Sequence, residues 1–186
     1  MKFFPVLAFL IVCCASPAHA ANCPGWMNVS LPRLQDDQPQ AMCQYAGRVL
    51  LVVNTASKCG FTPQYEGLEK LHARLKDRGL TVLGFPSGDF GGQELGSNKQ
   101  IAEFCENTFG VKFPMFAKSK VKGPGANPVF THLAGATGQA PAWNFHKYLV
   151  SRDGSRVLSF DSTIAPDDAR LTSALERMLA APAAKP

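Results

Sequence analysis

The run Arg48-Val-Leu-Leu-Val-Val-Asn54 constrains the fold more than any other stretch of the chain. It is continuous, apolar and rich in Val, with no polar alternation. Such a run reads as a strand buried on both faces, in a parallel or mixed sheet. A strand of that kind needs a packed layer on each side. The next residues supply one of them. Thr62-Pro63 predicts a helix start with Pro at the first helical position. Tyr65, Leu68, Leu71 and Leu75 follow at helical spacing, with Glu66 and Lys70 paired four apart on the exposed side. Gly79 ends the helix, and Leu80 to Phe85 reads as the next buried strand. Strand, helix, strand in this order predicts a right-handed βαβ unit.

Further along, Ser97-Asn-Lys-Gln100 matches a capping box and opens a second helix with Ile101, Phe104 and Cys105 inward. Phe113 to Phe116 suggests a short strand. Phe145 to Val150 and Arg156 to Phe160 suggest two strands joined as a hairpin across Asp153-Gly154. Pro166 to Leu179 is an amphipathic helix with Leu171, Leu175 and Met178 inward. The fold class is therefore α/β, a three-layer sandwich whose central mixed sheet is flanked by helices. At 186 residues, 46% hydrophobic and 18% charged, the chain has enough apolar material for one such domain.

The expected organisation has four parts. Residues 1–20 read as a secretory signal: Lys2, an apolar run from Phe3 to Cys14, then Ala18-His19-Ala20 as the cleavage site. The run is short of the ~20 apolar residues that span a bilayer, and no other segment spans one. Residues 21–47 form an extension with little regular structure, 48–180 the domain, and 181–186 a frayed tail. The chain is expected to be exported, periplasmic or secreted. Its net charge of +5 is scattered, with no run or stripe, which argues against nucleic acid as a partner.

Cys13 and Cys14 leave with the signal; Cys23, Cys43, Cys59 and Cys105 remain. An exported protein meets an oxidising compartment, where disulfides persist. Four cysteines allow three complete pairings, and sequence alone does not choose among them. The preferred pairing is Cys23–Cys43, which would staple the extension to the domain and contribute roughly 3 kcal/mol. His72, His132 and His146 lack ligand spacing with Cys or Asp, so no metal is expected, and no glycine pattern indicates a phosphate-binding cofactor site.

Cys59 lies in Ala56-Ser-Lys-Cys-Gly-Phe-Thr-Pro63, between the carboxyl end of a buried strand and the start of a helix. Reactive groups gather at that end of open α/β sheets. The unpaired N–H groups of a helix start favour a thiolate, and Lys58 adds positive charge. Cys59 is thus a candidate nucleophile.

The surrounding residues carry a resemblance. Val52-Val-Asn-Thr-Ala-Ser-Lys-Cys-Gly-Phe-Thr-Pro-Gln-Tyr-Glu-Gly-Leu68, Gly84-Phe-Pro-Ser-Gly-Asp-Phe-Gly-Gly-Gln-Glu94 and Trp143-Asn144-Phe145 together resemble the signature blocks of the glutathione peroxidase family. The resemblance runs from about Gly47 to Leu179. It implies a thioredoxin-like fold and a thiol-dependent peroxidase, reducing hydrogen peroxide or organic hydroperoxides. Cys59 would become a sulfenic acid, then be restored by a thiol. Trp143 and Asn144 would donate hydrogen bonds to the thiolate and the leaving oxygen. The resemblance implies no cofactor.

The chain also departs from that pattern. The family's second block usually reads Phe-Pro-Cys-Asn-Gln-Phe, so Asp89 stands where the active-site Gln is expected. Asp89 is given a supporting role in the site. Cys105 matches a resolving position, although its helical spacing from Ile101 also suits a core thiol. Tetrameric members of that family carry a longer segment between the positions of Pro128 and Trp143, so the resemblance implies a monomer without a dedicated glutathione pocket, with a thioredoxin-like protein or glutathione as reductant. Two rival functions stand beside this one. A thiol-disulfide oxidoreductase needs C-x-x-C, and Cys59-Gly-Phe-Thr62 has Thr. A catalytically weakened redox-sensing or binding module takes its support from Gly88 and Asp89.

Overall fold

The computed structural model describes residues 23–182, so the expected signal at residues 1–20 and residues 183–186 of the expected tail lie outside the described residues. The extension is more ordered than its composition suggests. It forms a short antiparallel hairpin, β1 (Ser30–Pro32) and β2 (Pro39–Ala41). A disulfide joins Cys23 to Cys43 across it, with Cα atoms 5.4 Å apart.

The main sheet has four strands: β3 (Val49–Thr55), β4 (Leu80–Pro86), β5 (Lys147–Val150) and β6 (Val157–Phe160), in the spatial order β4-β3-β5-β6. β3 pairs in parallel with β4, Val49 opposite Leu80 through Thr55 opposite Pro86, and antiparallel with β5. β5 and β6 are antiparallel. The parallel pair is closed by α1 (Gln64–Leu75), as the βαβ pattern requires.

Every residue of β3 is buried, and its side chains alternate between two cores. Val49, Leu51 and Val53 pack with Tyr65, Leu68, Leu71 and Leu75 of α1, Ile101 and Cys105 of α2 (Asn98–Phe109), and Leu171, Leu175 and Met178 of α4 (Ala169–Ala180). Leu50 and Val52 pack on the other face with Val129, Phe130 and Leu133 of α3 (Pro128–Thr137) and with Met27, Met42 and Tyr45 of the extension. A continuous apolar strand is stable here because neither face meets water. Truncating a residue such as Leu51 to Ala is worth about 2–5 kcal/mol.

Four local expectations need correction. Phe113 to Phe116 is not a strand. Met115 and Phe116 make single bridges to Gly84 and Arg33, and Pro114 has no N–H with which to extend a ladder. Gly84 admits this segment, because a Cβ there would collide with the Met115 sulfur. β5 begins at Lys147 rather than Phe145, since Phe145 has φ +66° and leaves the ladder. β6 begins at Val157 rather than Arg156, so the hairpin read across Asp153-Gly154 is present and closes through a six-residue loop, with Val150 opposite Val157. Within it, the Asp153 carboxylate accepts from Ser151 and Ser155. α4 starts three residues after Pro166, where the Asp168 side chain caps Arg170 N–H. α2 begins as read, with Ser97 Oγ accepting from Gln100 N–H.

Candidate active site

β3 ends at Thr55, and the turn that follows delivers Cys59 above the carboxyl end of the sheet. Thr62 shapes that turn. Its hydroxyl accepts from Cys59 N–H at 3.0 Å and donates to Ala56 C=O at 2.9 Å, while Thr62 N–H donates to Cys59 C=O at 3.0 Å. The residue where a C-x-x-C motif would put a second thiol is thus spent on holding the first. Cys59 is 7% exposed, although Lys58 and Gly60 beside it face water. Phe61 N–H points at the sulfur, 3.4 Å away. An amide donor aimed at a sulfur favours negative charge on it.

A second loop lies against this turn. Gly91 and Gly92, at φ +63° and +62°, occupy the left-handed region where glycine has no Cβ penalty. They reverse the chain so that Gln93 C=O accepts from Lys58 N–H at 2.9 Å. The next residue, Glu94, accepts from Ser57 N–H through its side chain at 3.1 Å. The loop and the Cys59 turn are therefore fastened at two successive residues.

The third piece is Trp143-Asn144-Phe145. Asn144 is fully buried, and its amide nitrogen donates to Gln93 Oε1 at 2.9 Å and to Phe90 C=O at 3.5 Å. The segment is gripped on both sides. Asn54 Nδ2 donates to Trp143 C=O at 3.1 Å, and Asn54 C=O accepts from Phe145 N–H at 2.6 Å. Lys147 Nζ donates to Phe145 C=O at 2.7 Å. A left-handed aromatic residue costs about 1–2 kcal/mol, and these bonds, with the Tyr65 ring edge-on to Phe145 at 5.3 Å, hold it there. Trp143 remains 41% exposed and leans on Phe90, with ring centres 5.7 Å apart.

The structure thus brings Cys59, Trp143 and Asn144 onto one connected frame. Asp89 does not join it. Its carboxylate turns away and accepts from Val121 N–H at 2.7 Å and Lys122 N–H at 3.2 Å. The physical reason is that a short acceptor-only side chain is satisfied by those two backbone donors. The amide that meets Asn144 belongs to Gln93, which the sequence reading quoted within a block but passed over. With Oε1 occupied by Asn144, the Gln93 Nε2 hydrogens remain as donors. The signal was present: Gln93 follows two glycines in the loop that must pack against the Cys59 turn.

Cys105 sits on α2, 2% exposed, in the same core as Cys59. Burial pushes its thiol up to about 11. The Tyr65 hydroxyl lies beside it, also buried, without a well-formed hydrogen bond. Among the described residues no group of three or more His, Cys, Asp or Glu is placed to hold a metal ion.

Known proteins are similar to this chain in sequence and fold. The family model described as glutathione peroxidase matches residues 29–134. The hydroperoxy fatty acid reductase of Synechocystis is 45% identical over 154 residues, covering 77% of this chain and 90% of that protein. A glutathione peroxidase-like peroxiredoxin of Chlamydomonas reinhardtii is 48% identical over 146 residues, 76% and 89% of the two chains. The apo crystal structure of Trgpx superposes with a TM-score of 0.68 at 32% identity, covering 86% of this chain and 97% of that one. A thioredoxin-like protein of Porphyromonas gingivalis has a TM-score of 0.54 at 15% identity over 86% and 92% of the two chains, a likeness of fold alone.

Proposed function

The chain belongs to the glutathione peroxidase family, has a thioredoxin-like fold and is a thiol-dependent peroxidase, and on that premise we propose that Cys59 is its peroxidatic nucleophile. The observation that carries the assignment is the interlock of three segments: Lys58 N–H on Gln93 C=O, and Asn144 on Gln93 Oε1. The Cys59 thiolate attacks the distal oxygen of a hydroperoxide. The S–O bond forms as the O–O bond breaks, Cys59 becomes a sulfenic acid, and the alkoxide leaves as an alcohol once protonated. A reducing thiol then displaces water from the sulfenic acid to give a disulfide, and a second thiol releases Cys59. We assign Gln93 Nε2 and the Trp143 indole N–H as the donors to the developing charge, with Asn144 holding Gln93 through its Oε1.

The expected result is that the purified protein consumes hydroperoxide with a thiol donor and Cys59→Ser does not. Gln93→Ala is expected to slow sulfenic acid formation by about 10²-fold, the usual effect of deleting one such donor. If Cys59→Ser retains turnover, the assignment is wrong.

The finer readings follow from chemistry. Exposed Lys58, Gly60 and Trp143 surround a nearly buried Cys59, an opening we assign to hydrogen peroxide or organic hydroperoxides, with a thioredoxin-like protein or glutathione as reductant. The Cys23–Cys43 disulfide supports export to an oxidising compartment after cleavage at Ala20; mass and N-terminal sequence of the protein from the periplasm or medium test this. A monomer is tested by light scattering. Cys105 acts as the resolving thiol only if α2 opens, because its sulfur is sealed in the core. One equivalent of peroxide followed by mass mapping decides it, and absence of a Cys59–Cys105 linkage removes the role.

A further inference from the structure

Beneath the Cys59 turn lies a carboxyl group that the reaction scheme leaves unused. Glu94 is 6% exposed. Its Oε1 accepts two backbone N–H groups from different segments, Ser57 at 3.1 Å and Leu95 at 2.8 Å. Its Oε2 is buried and has no partner among the described residues. The ammonium that acts on it, Lys118, donates to Leu95 C=O at 2.8 Å rather than to the carboxylate. The Tyr65 hydroxyl and the Cys105 thiol are the other ionisable groups that feel it. A buried carboxyl without a counter-ion is costly. What it gains here is an acceptor with lone pairs enough for two amides that are distant in sequence, one in the turn just before the nucleophile and one in the loop just after Gln93.

We propose that Glu94 is a positioning residue for peroxide reduction: its Oε1 fastens the Cys59 turn to the Gln93 loop and so fixes where the sulfur stands relative to the Gln93 amide. The inference rests on the roles assigned above to Cys59 and Gln93. The parallel bond from Lys58 N–H to Gln93 C=O is backbone to backbone and survives any substitution at 94. Loss of Glu94 therefore loosens the frame without severing it, and the donors drift out of line while Cys59 keeps the slight exposure it has.

Two reagents separate alignment from access. Hydrogen peroxide needs the donors; iodoacetamide needs only a reachable thiolate. In Glu94→Ala the second-order rate constant with hydrogen peroxide, read by quenched-flow mass spectrometry, is expected to fall about 10- to 100-fold, as for a small misplacement of reacting groups. Alkylation of Cys59 is expected to change less than about threefold. Glu94→Gln keeps one carbonyl oxygen for both amides and is expected to return the peroxide rate to within about threefold of the parent. The proposal is overturned if Glu94→Ala reacts with peroxide at the parent rate, or if both reagents slow in parallel. Should Glu94→Ala fail to fold, hydrogen exchange in the unsubstituted protein decides: the Ser57 and Leu95 amides are expected to be protected together, and free exchange at either overturns the proposal. Persistence of turnover in Cys59→Ser is a separate result, one that defeats the nucleophile assignment and not the Glu94 contact.

Discussion

Replacing Asp89 with alanine is expected to cost about 1–3 kcal/mol of stability, because Val121 and Lys122 N–H lose their acceptor. The peroxide rate of the folded variant is expected to stay within about twofold of the parent, since Asp89 lies outside the connected frame. Urea unfolding and a hydroperoxide assay check the two halves. At this scale the sequence was legible where chemistry is local. Cys59 stands out because a strand end, a glycine and a helix start surround it. Asp89 was expected in the site and Gln93 was given no role, because block position says which residues share a loop, not which way each side chain turns. That choice depends on Gly91 and Gly92 reversing the chain and on donors from residues 121 and 122, some thirty positions away. Glu94 escaped notice for the same reason: its partner Ser57 is 37 residues distant.

The start of β5 carries an electrostatic load: His146 immediately precedes the strand and Lys147 is its first residue, both buried. Burial lowers His146 to about 4, despite Asp161 nearby, and lowers Lys147 to about 7. Both groups bind a proton more tightly in the unfolded chain, at about 6.5 and 10.5. Between the folded and unfolded values the unfolded chain holds the extra proton, so stability rises with pH in each window and is lost as pH falls through it. The His146 contribution is expected to disappear from pH 6.5 down to 4, and that of Lys147 from 10.5 down to 7. Guanidinium unfolding between pH 7 and 9 reads Lys147 before the buried Cys105 titrates, with stability climbing by up to about 1.4 kcal/mol per pH unit. Lys147→Met is expected to flatten that slope. Apolar periodicity read β3, β4 and α1 correctly, because their burial is continuous. It overran β5 and placed a strand at Phe113 to Phe116, because a left-handed Phe145 and the donorless Pro114 are backbone facts that hydropathy does not carry.

At the level of the whole molecule, the extension is held to the domain by packing of Met27, Met42 and Tyr45, while the Cys23–Cys43 bond, expected to staple the two together, closes the extension on itself. Removing that bond with Cys23→Ser is expected to lower stability by about 3 kcal/mol, from the 20-residue separation it closes. The peroxide rate is expected to be unchanged, because the bridge lies outside the frame around Cys59; thermal unfolding and the rate assay together test this. The mixed sheet with helices on both faces was legible from the order of elements alone, whereas the hairpin of the extension was not, its strands being three residues each. The exposed indole of Trp143 has a further use. The chain contains only two tryptophans. Trp26, in the extension, stacks flat on His132 with ring centres 4.8 Å apart. In a Trp26→Phe protein, emitted light therefore comes from a single residue on the segment that carries Asn144, so the protein holds its own optical reporter, whose response to oxidation can be read without a dye.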